Sequence, residues 1–264
     1  MSVASLGGIF LVAAAVLLAV VGTVIVRRRV GVETLKLNNE VAGFIYAVVG
    51  VLYAVLLGFT AIIVWEQFEK AQAGVDQEAN QIADLYRDAQ SFPDATRKQL
   101  EFQLREYARF VVEKEWPAMA ARESSPETWD IYNELWRSYH QLRPENDHQR
   151  IWYQESLIRL NELGDQRRLR LLSSQSEGVP TVMWIALLGA GAITIGFSLL
   201  FGTRSAAAHL LMTSGLAMTI ALVLVSVLAL EHPFSGLTRI GPEAFEQTAR
   251  IFDVWSQTGA VKPR

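Results

Sequence analysis

The residues that could do chemistry are few. Four histidines, His140, His148, His209 and His232, supply the side chains that titrate near neutrality. None has a second His or a carboxylate at a ligand spacing such as HExxH, so no metal site is expected. Cysteine is absent, which removes disulfides, thiolate ligands and thiol nucleophiles together. Gly189-Ala190-Gly191 and Gly196 fall inside an apolar run, where glycine serves close helix packing rather than phosphate binding. No catalytic constellation and no cofactor signature emerges, and an enzyme is not expected. Of the four histidines, His209 stands at the start of an apolar run. A titrating group at membrane depth is a functional candidate by default. Anchoring at the interface beside Arg204 is the reading its position favours.

A second kind of chemistry is conduction, which needs a continuous face through an apolar helix rather than a cluster. Gly43, Tyr46, Gly50, Tyr53, Leu57 and Thr60 form one stripe at helical spacing. Tyrosine hydroxyls can donate hydrogen bonds to a partly dehydrated anion, and Leu57 would gate as an apolar ring by dewetting. These six are the candidate pore-lining residues. Beside them runs a stripe of small residues, Ala47, Ala54, Gly58 and Ala61, continued by Trp65 and Phe68; it is the candidate oligomer seam, since small side chains let backbones approach in a membrane. The two stripes lie about 100° apart on a helix. Two packing faces within a single subunit account for both stripes equally well.

These positions belong to one long element. From Phe44 to Ala89 an apolar seam repeats in alternating steps of three and four, and no proline interrupts residues 41–92. A single helix of that length runs roughly 70 Å. Its first half is hydrophobic all round; from Glu66 onward the off-seam positions are polar. The reading is a membrane helix that leaves the bilayer and continues into water as a packing stalk, with Gly74 as a possible bend.

The whole chain is 51% hydrophobic and 19% charged, and its charge is segregated. Apolar runs at 8–26, 41–65, 179–202 and 206–230 are each long enough to cross a hydrocarbon core of ~30 Å. The first is expected to be a retained span and not a signal peptide, because the basic cluster Arg27-Arg28-Arg29 follows it instead of preceding it. Residues 66–178 carry most of the charge and are acidic on balance, which argues against a nucleic-acid surface. Helix signals fill this middle part. Asp94 is a candidate cap; Pro117 should end or kink the next helix; Ser125-Pro126-Glu127 and Asn146-Asp147 open two more. No strand-like alternation of useful length occurs. The fold class is therefore all-α: an integral membrane protein with four transmembrane helices and an all-helical soluble bundle between the second and third spans. The expected division is 1–65, first hairpin; 66–178, soluble helical domain; 179–230, second hairpin; 231–264, a tail whose amphipathic segment, 242–255, lies on the interface or docks on the bundle. Lipids are the expected surroundings. Arg27, Arg28, Arg29, Lys36 and Arg204 in the short loops place the helical domain outside the cytoplasm by the positive-inside rule, while Arg167, Arg168 and Arg170 flank the third span on the other side.

Several motifs resemble the bestrophin-like domain family of small bacterial and plant membrane proteins. They are NNEVAG (38–43), WEQFEKAQAGVDQEANQIADLYR (65–87), EKEWPAM (113–119), GFSLLFG (196–202) with HLLM (209–212), and EHPFSGLTRIGPEAF (231–245), collinear over 38–250. The family is distantly similar to bestrophins, which are pentameric anion channels with four spans and a large helical domain between the second and third. The resemblance implies a homo-oligomer, a pentamer by analogy, in a bacterial inner membrane, with the second span lining a pore for inorganic ions and the helical domain in the cytoplasm. Two features depart from bestrophins: only Phe59 stands on the inner half of the second span in place of a phenylalanine-rich neck, and the segment after Leu230 has no acidic calcium clasp. The alternative function is a non-conducting membrane sensor or scaffold whose helical domain binds a partner or ligand.

Overall fold

The computed structural model describes residues 3–37 and 39–258. Among them are ten α-helices and no strand: α1 (Val3–Val30), α2 (Val32–Leu37), α3 (Asn39–Asp88), α4 (Asp94–Phe110), α5 (Trp116–Ala120), α6 (Pro126–Gln141), α7 (Asp147–Gln175), α8 (Thr181–Ser198), α9 (Ala206–Leu230) and α10 (Glu243–Thr258). Four of them, α1, α3, α8 and α9, contain stretches long and apolar enough to cross a membrane. The chain divides into two compact units. One holds the residues up to Gln67 together with Glu177–Glu231; the other holds Phe68–Ser176 and the residues from His232 on.

In the first unit, α1 continues through Arg27-Arg28-Arg29 and stops at Gly31, whose φ of +83° favours glycine. The expected polar connector is therefore partly helical, as α2. Helix α9 packs along α1, and Tyr53 and Leu57 of α3 form a small core with Leu187 of α8 and Ile220 of α9. The remaining faces of the four spans are apolar and exposed, as a lipid-facing surface requires.

In the second unit the core is large. Val75, Ile82, Leu85 and Tyr86 of α3 meet Leu100, Leu104 and Tyr107 of α4, Leu135 and Tyr139 of α6, Leu160 and Leu163 of α7, and Phe245 and Phe252 of α10. The Ser125 side chain caps α6 by accepting from the Thr128 N–H, and Asn146 caps α7 through Gln149 N–H, as the local signals predict. The amphipathic segment in the tail docks on the bundle: the Phe252 ring stacks on Tyr86 at 4.2 Å between centroids.

Three local expectations gain detail. Gly74 does not interrupt α3, and a Cβ there would sit 3.4 Å from Gln166 Oε1 of α7, an ordinary contact. Asp94 is not a cap: Pro93 takes that position in extended geometry and Asp94 pairs with Arg97 at 3.0 Å. At Pro117, where an end or a kink is expected, regular α geometry is interrupted just before the proline and resumes at α5. A π turn over Val111–Glu115 comes first, and Pro117 falls in the first turn of α5, where its missing N–H costs least.

Candidate functional site

The membrane half of α3 has one buried line. Tyr53, Leu57, Thr60 and Val64 are all covered, the first two by α8 and α9. Gly191 on α8 makes room for the Tyr53 ring: a Cβ there would come within 2.9 Å of the phenol oxygen. The Thr60 hydroxyl donates to the Leu56 carbonyl within its own helix, at 2.9 Å. Tyr46 meets Phe201 edge to face, with centroids 5.5 Å apart, and Gly43 lies beside the same ring. Nothing stands within 4 Å of a Cβ built on Gly50. Of the stripe read as a conducting face, Tyr53, Leu57 and Thr60 are covered by their own subunit, Tyr53 being 5% exposed and Leu57 8%, whereas Gly43, Tyr46 and Gly50 are half-buried.

The seam stripe behaves differently in its two halves. Ala47, Ala54, Gly58 and Trp65 are exposed, and Ala61 and Phe68 half-buried. Farther along the helix, Val75, Ala79, Ile82 and Tyr86 are buried in the bundle. The face of α3 opposite its buried line is an unbroken apolar stripe, Phe44, Val48, Val51, Val55, Phe59 and Ile62, with Phe44 74% exposed and Phe59 64%.

The tips of the two hairpins are clamped together by residues of two of the family-like motifs. Asn39 Nδ2 donates to the Gly202 carbonyl and Asn39 Oδ1 accepts from the Gly202 N–H, both at 2.9 Å. A side chain at position 202 is excluded, since its Cβ would lie 2.4 Å from the Lys36 backbone nitrogen. Asn38, the first residue of the NNEVAG motif, lies outside the described residues. Arg27 donates to the Thr203 carbonyl at 3.1 Å and to His209 Nδ1 at 3.3 Å. Because Arg27 can only donate, the His209 proton belongs on Nε2, which faces the Ser198 carbonyl at 3.1 Å. His209 therefore anchors the start of α9, as its position suggests, but its partner is Arg27 and not the exposed Arg204.

A buried ion network in the second unit was not visible in the periodicity. Arg170 on α7 grips Glu78 of α3 through two hydrogen bonds of 2.7 and 2.9 Å, and Glu115 at 2.7 Å. Arg167, one turn earlier, also holds Glu115. Tyr107 donates to Glu78 at 2.7 Å. Burial pushes the Tyr107 phenol well up, and the Glu78 charge adds to this. Burial works against the Arg170 charge, yet its two carboxylates more than offset that and push it up. The four formal charges cancel. The π turn aims Glu115 inward; single turns of this kind are frequent at functional sites. Arg167 also lies over the Trp129 ring at 4.0 Å.

The same turn joins two further motifs. Trp116 Nε1 donates to the Ile240 carbonyl at 3.3 Å, and its ring packs edge-on against Phe234 and Phe245. At the end of α3, Asp88 accepts from Ser156 and pairs with Arg159, both at 3.3 Å; Arg159 also binds Asp84 and Glu155. Burial raises the Asp88 carboxyl to about 6, with Arg159 and Ser156 pulling the other way. Among the described residues no three His, Asp or Glu side chains are grouped to hold a metal ion.

The sequence matches the model of the bestrophin-like domain over residues 13–245. A solved bacterial bestrophin homologue from Klebsiella pneumoniae is 16% identical, with a TM-score of 0.69 over 95% of this chain and 99% of that one. A structure described as a membrane protein gives 16% identity and a TM-score of 0.71, over 94% and 99%. At such identity the likeness speaks for the fold. No curated protein matches the chain. The four spans, the helical bundle after the second and a family match across most of the length agree: the chain belongs to the bestrophin-like domain family.

Proposed function

We propose that the protein is a homo-oligomeric ion channel of a bacterial inner membrane in which the second span, the first half of α3, lines the pore and anions are the preferred ions. The observation that carries this reading is the one-sided packing of α3. Its buried line, Tyr53, Leu57, Thr60 and Val64, is covered within the subunit, and the opposite stripe from Phe44 to Ile62 is covered by nothing. In a ring of subunits that free stripe faces the axis. The small flank formed by Ala47, Ala54 and Gly58 then meets the neighbouring copy, because a Cβ at Gly58 has open space around it. The tyrosine stripe becomes a packing face, which moves the proposed lining from Tyr53 and Leu57 to Val55 and Phe59. An apolar ring of this kind gates by dewetting and passes weakly hydrated ions most readily. Anion preference and five-fold symmetry rest on the likeness to bestrophins.

Purified protein in planar bilayers tests this. The wild type should carry a current with chloride more permeant than sodium, and Phe59→Ala should raise the single-channel current. Leu57→Ala should leave the current unchanged per open channel and lower the stability of the subunit. If wild type and Phe59→Ala both show nothing above protein-free bilayers across pH and voltage, the channel reading falls and the non-conducting sensor or scaffold takes its place.

A further inference from the structure

The first unit has an apolar groove of about 410 Å³ between α1, α8 and α9. Its walls owe their depth to small side chains: Ala15 and Ala19 of α1, Gly191 and Ala192 of α8, Ala217 and Ala221 of α9. Along α8 it extends from Leu188 to Leu199, about 16 Å at 1.5 Å per residue. That is half of a ~30 Å hydrocarbon core, the depth of one lipid leaflet. Its Leu199 end is level with Gly22 of α1, where a Cβ would stand 3.0 Å from a Leu199 methyl.

Helix α1 carries the same face onward from the groove. Ala15, Ala19, Gly22, Val26 and Arg29 follow one another in steps of four and three, so Arg29 stands on the groove line at the end of the helix. Arg204 comes to the same end, since it follows Thr203, whose carbonyl accepts from Arg27 at 3.1 Å. Arg29 and Arg204 are exposed, and neither is paired with a carboxylate among the described residues. An apolar slot one leaflet deep, with two exposed guanidinium groups at the helix end about 10 Å beyond it, matches one kind of molecule in charge and in length.

We infer that this groove holds an acyl chain of an anionic phospholipid whose phosphate is gripped by Arg29 and Arg204. Guanidinium groups suit phosphate because their planar fork can bond two oxygens at once. The inference does not depend on conduction, so it stands or falls separately from the channel reading.

Native mass spectrometry of the full chain, stripped of lipid in detergent and titrated with phosphatidylglycerol or phosphatidylcholine, tests it. The wild type should retain one phosphatidylglycerol per subunit, with an affinity about tenfold or more above that for phosphatidylcholine, as two basic residues near an anionic headgroup imply. Ala192→Trp should abolish retention of both lipids by filling the groove from an exposed position. Gly196→Leu, where a Cβ meets nothing within 4 Å, should do the same if the tryptophan variant does not fold. Arg29→Gln with Arg204→Gln should reduce phosphatidylglycerol to the level of phosphatidylcholine. Equal retention of the two lipids by the wild type would overturn the inference, as would unchanged phosphatidylglycerol binding in a folded groove-filling variant. Loss of oligomers in that variant with lipid binding intact would overturn it too, and would give the groove to a second copy of the chain.

Discussion

Glu115→Gln should unlatch the centre of the second unit. Glu115 faces two guanidinium groups in a site where all three side chains are almost fully buried. Arg170 still has Glu78 when the Glu115 charge is gone, but Arg167 keeps only its aromatic neighbours Trp129 and Tyr132. The network passes from neutral to one uncompensated positive charge. Opposite charges ~4 Å apart attract by about 4 kcal/mol at an effective dielectric of ~20, and breaking a buried pair from one side costs about 3–5 kcal/mol. Hydrogen exchange of the α7 amides around Arg167 and Arg170 reads this cost locally, without requiring the two units to unfold together. Their protection should fall about a hundredfold or more, at about 1.4 kcal/mol per tenfold. Arg167→Met added to Glu115→Gln restores neutrality and should recover most of the loss. A fall below about fivefold, or additive effects of the two substitutions, would refute the claim that Glu115 holds the cluster by charge.

Two other substitutions probe the ends of the argument. The Asp88 carboxyl titrates near 6 in the fold against 3.8 when free, so the folded state binds the extra proton and loses stability as pH rises from about 4 to 6. Asp88→Asn should therefore melt higher than wild type at pH 7.5, by about 1–3 kcal/mol in stability, and equally at pH 4; lower melting at pH 7.5 would mean that pairing with Arg159 outweighs burial. Gly58→Leu should abolish the oligomer expected of the wild type in native mass spectrometry and spare the subunit's own melting transition, because no atom lies within 4 Å of the new Cβ; an intact oligomer would take the small stripe out of the interface.

Legibility in the sequence followed the range of the forces involved. The start of α6 could be read because its signal is local: Ser125 caps and Pro126 opens the helix within four residues. The unbroken α3 followed from the absence of proline, and the four spans from composition. Pro117 marks where the regular helix is interrupted, but sequence rules do not say that a π turn does it. The ion network escaped because its members are far apart along the chain, at Glu78, Glu115 and Arg170, and each is an ordinary solvated residue until the fold brings the others to it. Glu78 even sits at an off-seam position, where a polar residue reads as solvent-facing. The signal that was present lay in the motifs: Glu78 and Glu115 both fall inside stretches that resemble the family, as do Asn39 and Gly202.

The seam from Phe44 to Ala89 shows why periodicity alone does not say which face of a long helix its own subunit covers. It repeats every 3.5 residues, whereas an α-helix turns once in 3.6, so the stripe drifts by about 20° per heptad and by about 120° over its length. One surface therefore cannot see all of it unless the helix supercoils. The subunit uses the far part itself, burying Val75, Ala79, Ile82 and Tyr86 against its own helices. In the membrane half the line that faces the same subunit has moved round to Tyr53, Leu57 and Thr60. The residues read as the seam there, Ala47, Ala54 and Gly58, are left on an open flank. On the proposed assembly a neighbouring copy would need only that flank, about two heptads of small side chains. The proposed assembly through α3 would then ask nothing of the soluble bundle, since the one helix is core to one unit and leaves an open wall in the other.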